Sequence, residues 1–561
     1  MKAVPNGPWA PVEFRPDSDS DAKRSATVKA WRLGLTTGVL LISLFLWPHP
    51  LARAAGRGEI WVDDNYCPTC ANDGHTWGSN AFSSISRGID AVAPGGIVHV
   101  LPGRYVDDVR IDRPCTLSAD LLGAQLAPRL GDATLTVAAN NVTVKGLEVT
   151  GGKQAAILIV GPAFQNDPIH DVAIRDNTVR GGYFGIAANI DAARNYGKLP
   201  AAGLQINDNT VMGCTRAVYV YNARAEIVGN AISDLGAEGI GIYSSQDSTS
   251  TIRDNRVNVD AVDACAVYIL DNWATSVDGN ILVGSTDILT PTTAFTLYGY
   301  QDLLLANNTV DGFYWGASAC TGGSARIFGN TFRNAAAWAL NLGAPVTTTL
   351  VTIEDNIISG SYWGLKLDDD AGWGLQAKVM DNTFSDNIIG VQLAASVQEG
   401  QAELHGNTFC GNLVAGLRNE SEARIDASDN WWGASDGPRP YGSGDLVEDA
   451  GRVQVAPWAR IAVSTRPVGD GRVVVTGALK GSRYDVPSRP LTFTVEGGVF
   501  VDPAGASHSL RAPARGETAF VVTVPALAGE AQVTVAGRRG EVMRVTVRDG
   551  CGPGVSVSVR N

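Results

Sequence analysis

Four stretches of the chain repeat one phrase at nearly even spacing: ARIFGNTFRN at 325–334, VTIEDNIISG at 351–360, AKVMDNTFSD at 377–386 and AELHGNTFCG at 402–411. Each contains Asp or Gly, then Asn, then any residue, then a bulky apolar residue. The phrase recurs at Asn177, Asn209, Asn230, Asn255, Asn280, Asn308, Asn330, Asn356, Asn382, Asn407 and Asn430. The mean interval is about 25 residues, and a fixed period of this length indicates a solenoid.

Each period also holds two or three short runs with strand alternation, such as AVYVYN at 217–222 and GLKLDD at 364–369. A coil of three short strands and three turns uses about this many residues. Asparagine tolerates the left-handed backbone that a sharp corner needs, and its amide can hydrogen-bond to the asparagine of the next coil. We therefore predict stacked coils joined by an asparagine ladder.

On this repeat the chain resembles the right-handed parallel β-helix proteins of the pectate-lyase-like superfamily, which implies an all-β solenoid over residues 59 to about 458. The stretch AFSSISRGIDAVA at 81–93 resembles the amphipathic helix that caps the first coil, since Phe82, Ile85, Ile89 and Val92 have helical spacing. Asp429-Asn430-Trp431-Trp432-Gly433 resembles the aromatic segment that closes the last coil. Such a resemblance predicts the fold and leaves the chemistry open.

The sequence pattern changes past Trp458. The longer alternating strands there, separated by Gly and Pro, resemble a bacterial immunoglobulin-like module. We divide the chain into a polar N-terminal tail (1–31), a signal peptide or signal anchor (32–54), an N-terminal cap with a short helix (55–96), a right-handed parallel β-helix (97–458), an immunoglobulin-like β-sandwich (459–549) and a C-terminal tail (550–561).

An apolar run at 33–47 follows several basic residues and precedes Ala52-Arg53-Ala54, which is the pattern of a signal segment. It predicts export, with cleavage after Ala54 favoured over retention as an anchor. The 64 glycines and the low charged fraction of 18% are typical of many short strands and turns. The formal charge of −13 disfavours nucleic acid as a partner, because phosphate binding needs a basic face.

Eight cysteines are scattered over the chain and do not form a disulfide framework. Cys67-Pro-Thr-Cys70 allows a redox motif, half of a zinc site or a local disulfide. No second pair follows at zinc spacing, which favours structural thiols or a local disulfide. We expect the other cysteines, including Cys410 and Cys551, to be small buried apolar residues.

A row of tyrosines is predicted on the solvent side of the second strand of successive coils, because side chains alternate across a strand. The row consists of Tyr219, Tyr221, Tyr243, Tyr268 and Tyr298. This alignment puts Gly241 next to Tyr219 and Tyr243 next to Tyr221. At about 4.8 Å per coil, the rings would form a platform roughly 15 Å long. Glycan binding on such a platform and mere stacking of good strand residues are both open.

A charged patch is predicted farther along the same face, with Lys366, Asp368, Asp369 and Asp370 on one coil and Arg418 two coils later. In a lyase, Ca²⁺ held by Asp368, Asp369 and Asp370 would neutralise a uronate, and Lys366 or Arg418 would remove the α-proton. In a hydrolase, Asp368 and Asp370 would serve as acid and base. A solvated charged face explains the same residues without catalysis.

Two classes of function follow from these patterns. The first is an exported, non-catalytic protein of the cell surface or secreted fraction that binds a polysaccharide, another glycan or a surface protein along its solvent face. It requires no cofactor and touches the membrane only through residues 32–54 if these are retained. The second is a Ca²⁺-dependent polysaccharide lyase or a glycoside hydrolase. The chain lacks Gly-His-Gly, Asn-Thr-Asp and Asp-Pro-His, which favours the binding protein.

Overall fold

Three parallel sheets wind around one apolar core between Arg57 and Gln454. The computed structural model describes residues 57–160, 169–189, 201–246, 249–272, 274–299, 302–320, 323–343, 349–369, 374–449, 451–484, 490–501, 509–511, 519–524, 530–537, 542–551 and 554–560. The signal segment predicted at 32–54 lies outside these residues. Each coil contributes one strand to each sheet, and about 13 coils form the right-handed parallel β-helix that the repeat predicts.

We name the sheets A, B and C. Within the described residues, sheet A contains Arg57–Val62, Ala81–Phe82, Val92–Val100, Cys115–Ser118, Val142–Lys145, His170–Arg175, Ala201–Asn207, Ala223–Val228, Thr249–Arg253, Ala274–Asp278, Asp302–Ala306, Ser324–Phe328, Thr349–Glu354, Leu375–Met380, Ala402–His405, Ile425–Asp426 and Val453–Gln454. Sheet B contains Gly103–Val106, Ala124–Ala127, Glu148–Thr150, Thr178–Arg180, Thr210–Met212, Ala231–Ser233, Arg256–Asn258, Ile281–Val283, Thr309–Asp311, Thr331–Arg333, Ile357–Ser359, Thr383–Ser385 and Thr408–Cys410.

Sheet C carries the predicted functional face. Its described strands are Val109–Ile111, Ala133–Val137, Ala155–Ile159, Phe184–Ala188, Arg216–Tyr221, Ile240–Ser245, Ala264–Leu270, Thr292–Tyr298, Trp315–Cys320, Trp338–Gly343, Trp363–Asp368, Ile389–Leu393, Ala415–Asn419, Pro438–Arg439 and Gly444–Glu448.

The asparagine ladder runs unbroken from Asn177 to Asn430 at the corner between sheets A and B. At each step the backbone N–H and the side-chain Nδ2 of one asparagine donate to Oδ1 of the next, as in Asn308 to Asn330 at 2.9 and 3.0 Å. The ladder asparagines are buried, and Nδ2 also donates to a carbonyl of the preceding coil, Val277 in the case of Asn308. The ladder therefore provides hydrogen-bond partners, in place of water, for backbone groups at a buried corner.

The left-handed conformation at this corner belongs to a different residue from the one expected. It is adopted by the Asp, Gly or Asn that precedes each ladder asparagine, for example Asp355 at φ 54° and Gly329 at φ 67°. The ladder asparagines themselves do not have positive φ. Two residues of the repeated phrase thus have different roles. The first residue turns the chain, and the asparagine forms the hydrogen bonds that the neighbouring backbone groups need.

A short helix, Ile85–Ala91, covers the first coil and buries Ile85 and Ile89. Ser84 begins it by accepting a hydrogen bond from the Arg87 N–H. The helix is shorter than the 81–93 pattern, because Ala81–Phe82 pairs with the first strand and Val92 starts the next one. No helix of the described residues has the length and apolar character of a membrane span.

The C-terminal part is a sandwich of two antiparallel sheets. Its described strands are Arg460–Gly469, Arg472–Lys480, Glu530–Gly537 and Gly498–Phe500 in one sheet, and Ser509–Arg511, Ala519–Val524, Leu491–Glu496, Val542–Arg548 and Val555–Arg560 in the other. The strand Val555–Arg560 pairs with Val542–Arg548 and so lies in the region expected to be a tail. The immunoglobulin-like resemblance stays a prediction.

The closing segment joins the β-helix to the sandwich. Trp432 stacks on Phe409 in the β-helix core at 4.4 Å, whereas the adjacent Trp431 packs into the core of the sandwich. A disulfide links Cys410 to Cys551, so the prediction of two small buried apolar residues was wrong. The sandwich is therefore fixed to the last coils by an apolar contact and a covalent bond. Cys67 and Cys70 form the local disulfide that the sequence favoured.

Candidate functional site

Strand register arranges the residues of sheet C in columns, and two of these columns contain the predicted site residues. The inner column reads Ala187, Tyr219, Tyr243, Tyr268, Thr296, Ser318, Asn341, Lys366, Gln392, Arg418 and Glu448. The outer column reads Tyr221, Ser245, Leu270, Tyr298, Cys320, Gly343 and Asp368.

The predicted alignment of the tyrosines was therefore wrong by two residues on one coil. Tyr219 pairs with Tyr243 and not with Gly241, because residues 234–239 form a longer turn before the strand Ile240–Ser245. The outward direction of Tyr243 was right. The correction puts Tyr219, Tyr243 and Tyr268 in one uninterrupted column. Tyr221 and Tyr298 lie in the outer column, three coils apart, with Ser245 and Leu270 between them.

The three tyrosines of the inner column form a face-to-face stack. The ring centroids of Tyr219 and Tyr243 are 4.7 Å apart with planes inclined by 2°, and those of Tyr243 and Tyr268 are 5.5 Å apart at 22°. Phe184 packs against Tyr219 at 4.9 Å with a tilt of 59°. The ring faces therefore contact one another, and mainly the ring edges face solvent. This arrangement differs from the flat platform that the sequence predicted.

Burial raises the pKa of all three stacked tyrosines, to about 12 for Tyr268. Their hydroxyls stay protonated at neutral pH and can donate hydrogen bonds. Tyr221 is only 9% exposed, so the expectation that it lies on a solvent-facing platform was wrong. Tyr298 is half-buried on the coil after Tyr268. The stack is a three-residue feature and not a five-residue one.

The predicted basic residues share one column but are held by carboxylates. Lys366 and Arg418 lie two coils apart with Gln392 between them, as expected. Lys366 Nζ is 2.5 Å from Asp368 Oδ2, and the Arg418 guanidinium binds both carboxylate oxygens of Glu448. The hydrogen bond to Glu448 raises the pKa of Arg418 above its usual range. The pair with Glu448 opposes deprotonation of Arg418, which a lyase base requires, and Lys366 Nζ is occupied by Asp368.

The structure describes two of the three acidic residues proposed for Ca²⁺ or for hydrolysis, Asp368 and Asp369. Asp368 accepts hydrogen bonds from Lys366 and from Ser396 Oγ. Asp369 is 1% exposed, and its Oδ2 accepts from the Gly374 N–H and Gln401 Nε2. Asp370 lies outside the described residues. Within those residues no three His, Cys, Asp or Glu side chains are grouped to hold a metal.

Several residues of this face were not found from the sequence as functional candidates. Thr296, Ser318 and Asn341 follow Tyr268 in the inner column, and Asn341 Oδ1 has no hydrogen-bond partner within the described residues. Glu448 pairs with Arg418 from a strand 30 residues away. Strand alternation could have located the first three, since they share the parity of the tyrosines.

Comparisons with known proteins agree with the fold. Residues 199–349 match the model of the family described as right handed beta helix region. A cell surface glycoprotein of Methanothermus fervidus is 27% identical over 108 residues, which is 18% of this chain and 18% of that protein. The chain thus matches about a fifth of the length of that relative.

Solved structures with a similar course include the Dettilon tailspike protein and a complex of XylC with xylose. Both are 11% identical to this chain with a TM-score of 0.31. The first likeness covers 83% of this chain and 89% of the other, and the second covers 75% and 89%.

Proposed function

We propose that this right-handed parallel β-helix protein acts at the cell surface or in the secreted fraction as a non-catalytic binding protein. Its ligand is a glycan, and the outward face of sheet C is its binding surface. The observation that carries the proposal is the contrast between two parts of that face. The described candidate catalytic groups are engaged in ion pairs and hydrogen bonds, whereas the tyrosine edges and Ser318 lie at the surface.

Chemistry supports binding over turnover. A lyase needs a basic group that is neutral at working pH, but the pair with Glu448 favours the charged form of Arg418, and Lys366 Nζ is occupied by an ion pair with Asp368. A hydrolase needs two carboxylates with separate roles; of the predicted pair, Asp368 is engaged by Lys366 and Ser396, and Asp370 lies outside the described residues. Half-buried tyrosines, by contrast, offer an apolar ring and a hydroxyl in one rigid side chain, which suits carbohydrate recognition.

The proposed location at the cell surface or in the secreted fraction rests on the following features. Residues 33–54 have the pattern of a signal segment, and the curated relative that matches part of the chain is named a cell surface glycoprotein. The disulfides Cys67–Cys70 and Cys410–Cys551 also suit an oxidising compartment.

The proposal is tested by incubating the chain with a glycan array and, separately, with soluble neutral and uronate polysaccharides in the presence of Ca²⁺. We expect saturable binding to at least one glycan and no new reducing ends or unsaturated products. Lys366→Ala should leave the binding unchanged. A product that disappears in Lys366→Ala or Arg418→Ala would instead establish the lyase, and an array without any bound glycan would reject a glycan ligand.

A further inference from the structure

The stack of tyrosines ends abruptly on the face of sheet C. Tyr243 is covered on both sides, by Tyr219 and Tyr268, and Tyr219 is covered by Phe184 and Tyr243. Tyr268 has a ring neighbour on the side of Tyr243, and among the described residues no second ring stacks on it. The next residues of the column are Thr296 and Ser318.

Two short side chains after three large ones leave a notch in the column. Its length from Tyr268 to Asn341 is three coil spacings, or about 14 Å between their backbones. Thr296 is 9% exposed even though its column faces solvent, which is the burial expected for a floor shielded by taller neighbours. Tyr298 lies two residues along the same strand, in the outer column.

The polar groups of the notch match a ligand that carries hydroxyls. Asn341 Oδ1 is buried without a hydrogen-bond partner in the described part of the chain, and leaving such a group unmatched costs free energy. The Tyr268 hydroxyl stays protonated, because burial raises its pKa to about 12. One acceptor and one donor therefore lie at opposite ends of the notch.

The charges around the notch disfavour an anionic ligand. The nearest basic side chain of the column, Lys366, is paired with Asp368, and Arg418 is paired with Glu448. The carboxylates Asp271 and Asp302 lie at strand ends on the adjoining coils, and Asp302 is exposed. Arg216, whose guanidinium donates to the Glu238 carbonyl, lies on the coil of Tyr219, two coils away from Tyr268. A uronate in the notch would therefore meet these carboxylates before it met that cation.

We propose that the notch is a single saccharide site in which a neutral sugar ring stacks on the free face of Tyr268 over Thr296 and Ser318. This inference rests on the proposed glycan-binding function and narrows it in two ways. The sugar lies at the end of the tyrosine stack, since the faces inside the stack are covered. The ligand class is an uncharged glycan, since carboxylates lie on the coils beside the notch and the two cations that follow it in the inner column, Lys366 and Arg418, are paired within the protein.

The test uses the full chain and a set of neutral hexasaccharides built on glucose, xylose, mannose and galactose, with hexagalacturonate as the acidic probe. Dissociation constants are measured for the wild type, Tyr268→Ala, Tyr219→Ala and Thr296→Tyr. Thr296→Tyr extends the stack by one ring and fills the notch. Thr352→Tyr, at a half-buried strand position in sheet A, is the matched control for adding a tyrosine.

We expect one neutral hexasaccharide to bind and hexagalacturonate not to bind. Loss of an aromatic contact in Tyr268→Ala should weaken binding about tenfold. Thr296→Tyr should weaken it at least as much while leaving the melting temperature unchanged or raised, and Thr352→Tyr should have no effect. Tyr219→Ala should change the dissociation constant less than Tyr268→Ala does.

The contrary outcomes distinguish failure of the notch as the binding site from failure of the proposed glycan binding. If a neutral hexasaccharide binds but Thr296→Tyr is as good a binder as the wild type, the notch is not the site, although glycan binding stands. Equal losses in Tyr219→Ala and Tyr268→Ala would point to the edge of the whole stack. Tighter binding of hexagalacturonate would overturn the neutral class. If no probe binds, the notch and the proposed function both fail.

Discussion

Removing one asparagine from the middle of the ladder is the most direct perturbation of the β-helix. Asn308 is completely buried, and its side chain takes part in four hydrogen bonds. Its Nδ2 donates to the Val277 carbonyl and to Asn330 Oδ1, and its Oδ1 accepts from the N–H and the Nδ2 of Asn280. Asn308→Ala removes all four.

The magnitude follows from the groups that are left behind. The backbone N–H of Asn280 and the carbonyl of Val277 lose a partner at a corner that water does not reach. Each unsatisfied buried backbone group costs about 1–3 kcal/mol, so the free energy of unfolding should fall by about 3–5 kcal/mol. Asn280 Nδ2 retains its bonds to the carbonyls of Ile252 and Asp278, and it adds little to the loss.

Urea unfolding followed by circular dichroism, with the slope and the midpoint compared between variants, measures this difference. Asn258→Ala is the control, because Asn258 is exposed on a strand of sheet B and should change the free energy of unfolding by less than about 0.5 kcal/mol. If Asn308→Ala were as stable as Asn258→Ala, the ladder would be a by-product of the corner geometry and the account of the repeat would be refuted.

Three further predictions concern the corner, the junction with the sandwich and the first coils of the β-helix. In the same urea assay, Asp355→Gly should change the free energy of unfolding by less than about 0.5 kcal/mol, whereas Asp355→Val should lower it by about 1–2 kcal/mol, because φ is 54° at this position. Equal effects of the two substitutions would contradict the assigned corner role. Cys410→Ser should lower the stability of the sandwich by about 2–4 kcal/mol, and a non-reducing peptide map of the wild type should contain the Cys410–Cys551 peptide; free thiols at both positions would show the link to be wrong. Hydrogen bonds from Ser118 and His99, with Lys145 nearby, lower the pKa of Asp120 to about 2, so its stabilisation is present above the unfolded value near pH 4 and is lost as the pH falls toward 2. Asp120 is 52% exposed, which limits the effect to about 1 kcal/mol, and Asp120→Asn should flatten the pH dependence of stability in that window; an unchanged profile would disprove the linkage.

The fold was predictable because the ladder asparagines recur with the period of one coil. The outward direction of Tyr219, Tyr243 and Tyr268 was also predictable, since strand alternation needs only local parity. The alignment of these tyrosines was not, because a longer turn at 234–239 shifts one coil by two residues and leaves no mark in the apolar pattern.

Contacts between distant parts of the chain were likewise hidden from the sequence. The Arg418–Glu448 pair spans 30 residues and the Cys410–Cys551 disulfide spans 141, and no local pattern specifies either. The stacking of ring faces within the tyrosine column depends on side-chain angles as well as on column membership. Asp369 is buried, in line with the alternation that puts Asp368 outward, so its place in the predicted charged patch did not follow from strand parity.

The central claim is that sheet C binds a neutral glycan at one place and does not alter it. The measurement that tests this claim most directly is a calorimetric titration of the chain with the best neutral hexasaccharide, followed by chromatography of the recovered sugar. We predict one sugar site per chain and full recovery of the intact hexasaccharide. Several equivalent sites, a shortened or unsaturated product, or the absence of binding would contradict the account.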